Sequence, residues 1–147
     1  MTYAAAQIDQ LVGQVCVWGR SNIGSMISLD FGSPAEVPAA HGFFVDGGEW
    51  TMQRGDHAVA TWQSPRTELV AAVDGIVGTT VQDVTVDEQT GSVRLTMSDG
   101  LSLDVQRCTY DDDAPWWSVY RAGQLVLDVG PGHAASSRSS GAGPDSL

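Results

Sequence analysis

The segment Ser92–Arg107, SVRLTMSDGLSLDVQR, carries the clearest fold signal in the chain, because two alternating strands flank an Asp-Gly pair. In its first part Val93, Leu95 and Met97 occupy every second position, which is the spacing of a strand with one buried face. Asp99-Gly100 suits a two-residue hairpin turn, in which both residues adopt positive φ. The segment therefore predicts an antiparallel hairpin and, with it, a β fold.

Further predicted strands lie on both sides of this hairpin, separated by Gly, Pro and Asp residues. GSPAEVPAAH contains two prolines and is predicted to be a connection. TELVAAV, residues 67–73, fits either a strand or a helix, and the strand patterns on both sides of it favour a strand. The remaining predicted strands are QVCVW, SMISLDF, GFFV, EWTMQ, HAVATW, TVQDVTV, WWSVY and QLVLDV.

One convincing helix is predicted at the N-terminus, over Tyr3–Val12. Its apolar residues share one face at helical spacing, and Gly13 is placed to end it. From Gly130 to the end the sequence is GPGHAASSRSSGAGPDSL, a segment of mostly Gly, Ser, Ala and Pro with almost nothing to bury. We therefore predict a single domain over residues 1–130 and a disordered tail over residues 131–147.

The chain contains two similar halves, approximately residues 14–62 and 80–129. In each half a Gly-Ser strand precedes a tryptophan strand, and the spacing from Gly24 to Trp50 and from Gly91 to Trp117 is 26 residues. The alternative is a chance resemblance between two β-meanders. We predict a mainly β (α+β) domain with a short N-terminal helix and two similar antiparallel β-meanders, packed as a sandwich or half-open barrel.

All seven basic residues are arginines, and the formal net charge is −11 at pH 7. The absence of lysine excludes Schiff-base and P-loop lysine chemistry. The potential around such an acidic chain repels nucleic acid and attracts cations or basic proteins. A basic protein is therefore the favoured partner, and the alternative is that the charge serves solubility alone.

The cysteines and the N-terminus favour a cytoplasmic protein. Cys16 and Cys108 lack a CxxC spacing and fit neither a zinc site nor a dense disulfide framework. The N-terminal MTYAAAQIDQL has no basic region and contains Asp9, which does not suit a secretory signal. Apolar runs stay well below the roughly 18 residues of a membrane span, so no membrane association is expected.

The acidic stretch Asp111-Asp112-Asp113, next to two tryptophans, raises the question of a binding site. A calcium loop needs alternating oxygen ligands and a glycine turn, whereas DDDAPWW has consecutive acids and a proline, so a solvated loop is favoured. Strand alternation turns Trp117 inward, like Trp50, and turns Trp116 and Tyr120 to the opposite face. That face is either an exposed interface or is covered by the N-terminal helix. The candidate interface residues are Asp111, Asp112, Asp113, Trp116 and Tyr120.

No catalytic or cofactor motif is recognisable. His41, Asp46, Glu49 and His57 cluster in sequence, and a hairpin would bring His57 near Glu49, but the spacing matches no zinc pattern. GRSNIG is not a nucleophile elbow and is predicted to be the turn between the first two strands. His133 falls in the predicted tail. We therefore expect no catalytic residues, no metal and no cofactor.

Several segments resemble a diffuse group of small uncharacterised bacterial proteins: GSMISLDFG, EWTM, VRLTMSDGLSLDV and the closing WW strand. The resemblance covers approximately Val15 to Val129, and the arginine-only basic set is typical of high-GC, actinobacterial proteins. Some members of the group look like the immunity partners of polymorphic toxin systems, which are small, acidic, single-domain and cytoplasmic. The resemblance implies an immunity-type binding function and supplies no catalytic motif.

The sequence favours a non-enzymatic binding module that engages a basic protein through its acidic surface. The first alternative is a structural module that forms a homodimer through an outer sheet face or an edge strand. The second is a small metal-dependent enzyme built from His41, His57 and nearby acids.

Overall fold

The structure is a computed structural model that describes residues 2–132, and these form two five-stranded antiparallel sheets. Sheet 1 has the order β1-β2-β3-β9-β10, and sheet 2 has the order β5-β4-β8-β7-β6. The elements are α1 (Tyr3–Asp9), β1 (Cys16–Ser21), β2 (Ile27–Phe31), β3 (His41–Val45), β4 (Glu49–Arg54), β5 (His57–Thr61), α2 (Arg66–Asp74), β6 (Val81–Val86), β7 (Val93–Met97), β8 (Leu101–Gln106), β9 (Trp117–Arg121) and β10 (Gln124–Val129).

The mainly β, sandwich-like fold is confirmed, but neither half of the chain is a self-contained meander. Strands β1–β3 form a meander in sheet 1, and the hairpin β4–β5 that follows crosses to sheet 2. In the second half β6–β8 form a meander in sheet 2, and the hairpin β9–β10 crosses to sheet 1. Each sheet therefore joins a three-strand meander from one half to a hairpin from the other.

Two tryptophans occupy equivalent places in the halves. The indole Nε1 of Trp50 donates to the carbonyl of Ser25 at 2.7 Å, and Nε1 of Trp117 donates to the carbonyl of Gly91 at 2.8 Å. Both side chains are completely buried, as expected for inward aromatics that find an acceptor for their one polar group. Each bond ties the crossing hairpin of a half to the start of a strand in the meander of the same half.

The identical 26-residue spacing depends on two connections that compensate in length. In the first half the loop between β2 and β3 is long, residues 32–40, and the crossing to β4 is short, residues 46–48. In the second half the β7–β8 turn is tight and the crossing to β9 is long, residues 107–116. The tight turn has the predicted geometry, because Asp99 and Gly100 both have positive φ, 64° and 72°.

The prediction of a strand for TELVAAV is wrong, because these residues lie in α2. Leu69, Ala72, Val73 and Ile76 are all buried, and they recur at the three- and four-residue spacing of a helical face. Helix α2 packs beside the edge strands β1 and β5, whereas α1 packs beside the edge strands β6 and β10. The two helices thus flank all four sheet edges.

Helix α1 is confirmed but is shorter than predicted, since it ends at Asp9 rather than at Val12. Thr2 caps it by accepting a hydrogen bond from the backbone N–H of Ala5 at 3.2 Å. Among the described residues, none of the helices is both long and apolar enough to cross a membrane. The predicted tail, including His133, lies outside the described residues apart from Pro131 and Gly132.

Candidate binding surface

The outer face of sheet 1 carries a row of large and acidic side chains across all five strands. Pairing between neighbouring strands places these residues side by side in the order Trp18, Asp30, Gly42, Tyr120, Leu125. Trp18 is 45% exposed and Leu125 is 37% exposed. Phe44 lies on the same face in the adjacent row, opposite Ser28 and Ser118. We call the side chains of Trp18, Asp30, Phe44, Tyr120 and Leu125 the aromatic–acidic face.

Strand alternation and a bulge together produce this face. In β2 the buried residues Ile27, Leu29 and Phe31 point inward, so Asp30 points outward. In β1 the register shifts between Cys16 and Trp18, and the extra residue turns Trp18 to the outside. Regular alternation in β1 would have placed Trp18 on the same side as the buried Cys16.

The outer face of sheet 2 provides an internal comparison, because its strands pair in the same pattern. The corresponding row contains Asp83, Thr96, Ser102, Gln53 and Ala58, in the order of the strands β6, β7, β8, β4 and β5. A register shift precedes Asp83, as one precedes Trp18. The same backbone arrangement therefore carries an ordinary polar row on sheet 2 and an aromatic row on sheet 1.

A cleft of about 350 Å³ opens on the aromatic–acidic face. Gly42 forms its floor: a Cβ at this position would lie 3.3 Å from Cβ of Tyr120 and 3.6 Å from Oδ1 of Asp30. The loop of residues 32–40 overhangs the cleft through Pro38, which packs so closely on Gly123 that a Cβ there would approach it to 3.2 Å. Because this loop has no counterpart in the second half, sheet 2 lacks the overhang.

The carboxylates of this face are incompletely hydrated. Burial raises the pKa of Asp30. Within the described part of the chain, no side chain or backbone group forms a hydrogen bond or ion pair with the Asp30 carboxylate. Asp46 directly follows β3, and its pKa is raised by burial and by the negative charge of Asp128. The face therefore holds negative charge that a cation could neutralise.

The acidic stretch Asp111-Asp112-Asp113 lies in the long crossing between β8 and β9, and all three residues are exposed. The Asp111 carboxylate accepts a hydrogen bond from the backbone N–H of Asp113 at 3.0 Å, which is local turn geometry. The neighbouring Tyr110 stacks on Trp62 with ring centroids 5.4 Å apart. This loop is separate from the cleft, whereas the candidate Tyr120 lines it.

Trp116, one of the candidate interface residues, is only 7% exposed and belongs to the hydrophobic core, so of the two alternatives for this residue the exposed one does not hold. Strand alternation does not apply to it, because β9 begins at Trp117. Its backbone lies where the chain crosses between sheets, and its carbonyl accepts hydrogen bonds from the N–H groups of Asp46 and Gly48. Its indole Nε1 is buried and has no hydrogen-bond partner among residues 2–132.

The histidines and acids that cluster in sequence are separated in space. His57 pairs with Arg54 at one end of the β4–β5 hairpin, whereas Glu49, at the other end, accepts hydrogen bonds from the backbone and hydroxyl of Thr109. His41 lies between Phe31 and Arg121, and burial and the Arg121 charge lower its pKa. Residues 2–132 contain no group of three or more His, Cys, Asp or Glu side chains arranged to hold a metal ion.

Both cysteines are free and buried. Burial raises the pKa of the Cys16 thiol to about 11, against the lowering effect of hydrogen bonding with the Trp18 backbone, and the nearby Asp30 raises it further. A thiol with this pKa stays protonated at neutral pH and is a poor nucleophile.

Comparisons with protein-family models, curated proteins and solved structures gave no match.

Proposed function

We propose that this chain is a non-enzymatic binding protein whose aromatic–acidic face docks onto a basic protein, as an immunity protein docks onto the toxin it neutralises. The single observation that carries the proposal is the contrast between the two sheets. The five equivalent positions are Asp, Thr, Ser, Gln and Ala on sheet 2 and Trp, Asp, Gly, Tyr and Leu on sheet 1. Solubility alone gives no reason to expose Trp18 at a position where sheet 2 has Asp83.

The two kinds of side chain serve different parts of recognition. Aromatic residues supply most of the contact area and are enriched at the centres of protein interfaces. The carboxylate of Asp30 would select a basic partner, and the net charge of −11 would speed its approach at low salt. A cytoplasmic location fits the two free cysteines, which need no oxidising compartment.

The homodimer alternative is less well supported. Helices α1 and α2 flank the edge strands, which hinders pairing of an edge with a second copy. A two-fold dimer through the aromatic–acidic face would bring the same residues of both copies together, so that the two Asp30 carboxylates would repel each other. The metal-dependent enzyme is weakened by the separation of His57 from Glu49.

The test is affinity capture from lysate of the source cells with the full chain, using two matched charge-reversal variants. Asp30→Arg reverses a charge on the aromatic–acidic face, and Asp83→Arg makes the same change on the polar row of sheet 2. We expect the wild type and Asp83→Arg to retain one basic protein at low salt and release it at high salt, and Asp30→Arg to lose it.

Two results would contradict the proposal: equal retention by Asp30→Arg and the wild type, or equal loss in both variants. Sedimentation of the wild type at micromolar concentration separates the homodimer alternative, which requires a species of twice the mass. A triple variant that replaces Asp111, Asp112 and Asp113 by Asn measures whether the acidic loop contributes to the salt dependence.

A further inference from the structure

We propose that the cleft on sheet 1 binds the guanidinium group of an arginine side chain of the basic partner, with Asp30 as its counter-ion. The inference rests on the proposed function and deepens it, since it names the chemical group that the cleft takes. It commits to arginine in preference to lysine or an apolar side chain.

The first argument is the shape of the cleft. The absence of a side chain at Gly42 leaves a depression between Asp30 and Tyr120, which lie on either side of it in the pairing register. Phe44 borders this depression, and Pro38 covers it from the overhanging loop. A flat group that enters over Gly42 thus meets a carboxylate on one side and an aromatic ring on the other.

The second argument is the unpaired charge. Within the described residues the Asp30 carboxylate accepts no hydrogen bond and forms no ion pair. Arg20 lies on the same outer face, opposite Ser28, but makes no ion pair with Asp30. An apolar group in the cleft would bury the carboxylate further without a partner, which is unfavourable, whereas a cation would satisfy it.

The third argument distinguishes arginine from lysine. A planar guanidinium can donate two parallel hydrogen bonds to one carboxylate and stack on an aromatic face at the same time. An ammonium group is compact and strongly hydrated, so its binding free energy gains less from a cleft bordered by aromatic rings. The aromatic borders formed by Phe44 and Tyr120 therefore favour the guanidinium.

The experiment is an NMR titration of the ¹⁵N-labelled full chain with three blocked tripeptides whose central residue is arginine, lysine or citrulline. Citrulline has nearly the shape of arginine but no charge. We expect the arginine peptide to bind with a dissociation constant on the order of 1 mM and to shift the Gly42 amide and the Trp18 indole signals. Lysine should bind several-fold more weakly, and citrulline about tenfold more weakly or not at all.

Two variants locate the binding. Asp30→Asn removes the charge at constant shape and should weaken arginine binding about tenfold. Gly42→Ala places a methyl group in the floor of the cleft and should have a similar effect through lost space. Asp83→Asn makes the same change of charge on sheet 2 and should leave binding unchanged. Unchanged amide spectra away from the cleft verify that each variant is folded.

The inference is overturned if citrulline binds as well as arginine, if Asp30→Asn binds like Asp83→Asn, or if no shift occurs at Gly42. If Asp30→Arg still abolishes capture of the partner, any of these results refutes the arginine inference alone and not the proposed function. Conversely, arginine binding at Gly42 without a captured partner supports the inference and counts against the proposed function.

Discussion

Replacing either of the two equivalent tryptophans by phenylalanine tests whether the two tryptophans stabilise their respective halves of the chain to the same extent. Trp50→Phe and Trp117→Phe each remove one indole N–H, and with it the bond to the carbonyl of Ser25 or Gly91. Both side chains are fully buried, so each substitution also leaves space in the core. The structure therefore predicts two similar losses of stability.

The magnitude follows from two contributions. Losing a neutral hydrogen bond and leaving its carbonyl unsatisfied costs about 1–2 kcal/mol. The missing ring atoms add about 1 kcal/mol, less than the 3–5 kcal/mol of complete truncation to alanine, because the phenyl ring fills most of the site. We expect each variant to lower the free energy of unfolding by about 2–3 kcal/mol.

Urea unfolding followed by far-ultraviolet circular dichroism measures both losses. The slope against denaturant should match the wild type, which shows that the same surface is exposed on unfolding. Trp62→Phe is the control, because this ring is only partly buried and its contact is a stack on the exposed Tyr110. A loss below 0.5 kcal/mol for one buried tryptophan and a full loss for the other would refute the structural equivalence.

Three further predictions concern titration, a turn and a thiol. Burial raises the pKa of Asp30 in the folded state, so the contribution of this group to stability is fully present below the unfolded pKa of about 3.9 and is lost as pH rises through the folded pKa. Asp30→Asn should therefore be more stable than the wild type at pH 7, and the difference in melting temperature should close below about pH 4. Arg66→Ala should cost about 1–2 kcal/mol and speed hydrogen exchange in the β1–β2 turn relative to Arg94→Ala, since Arg66 donates to the carbonyls of Ser21, Asn22 and Gly24. Cys16 should resist an aromatic disulfide reagent at pH 8 until the protein unfolds, and rapid labelling of the native protein would contradict its burial and its pKa of about 11.

Local signals in the sequence were sufficient for most strands and failed where a tertiary contact decides the structure. The hairpin Val93–Gln106 is predictable because its alternation and its Asp-Gly turn lie within one short segment. The strand prediction for TELVAAV is wrong because it depends on the strand patterns on both sides, whereas Pro65, Glu68 and the spacing of Leu69, Ala72 and Val73 indicate a helix.

The exchange of hairpins between sheets could not be read from the sequence. Repeat spacing equates Trp50 with Trp117, but it does not tell whether the strand of Trp50 pairs beside β3 or beside β8. The same limit applies to the candidate site. Tyr120 was identified from alternation, whereas Trp18 required knowledge of a bulge and Gly42 required knowledge of its two neighbours across the sheet.

The two halves of the fold supply their own control for the assignment of function. Both outer faces are built from a three-strand meander and a crossing hairpin, and both have a register shift at the corresponding place in the first strand and in the hairpin. Differences between the faces therefore reflect side chains and loops rather than sheet geometry. Sheet 1 has the tryptophan, the tyrosine, the glycine floor and the overhanging loop, whereas sheet 2 has Asp83, Gln53 and Ser102 at the equivalent positions. Sheet 2 forms without any of these four features, so the sheet geometry does not require them in sheet 1, and this is the physical reason for proposing that they serve recognition.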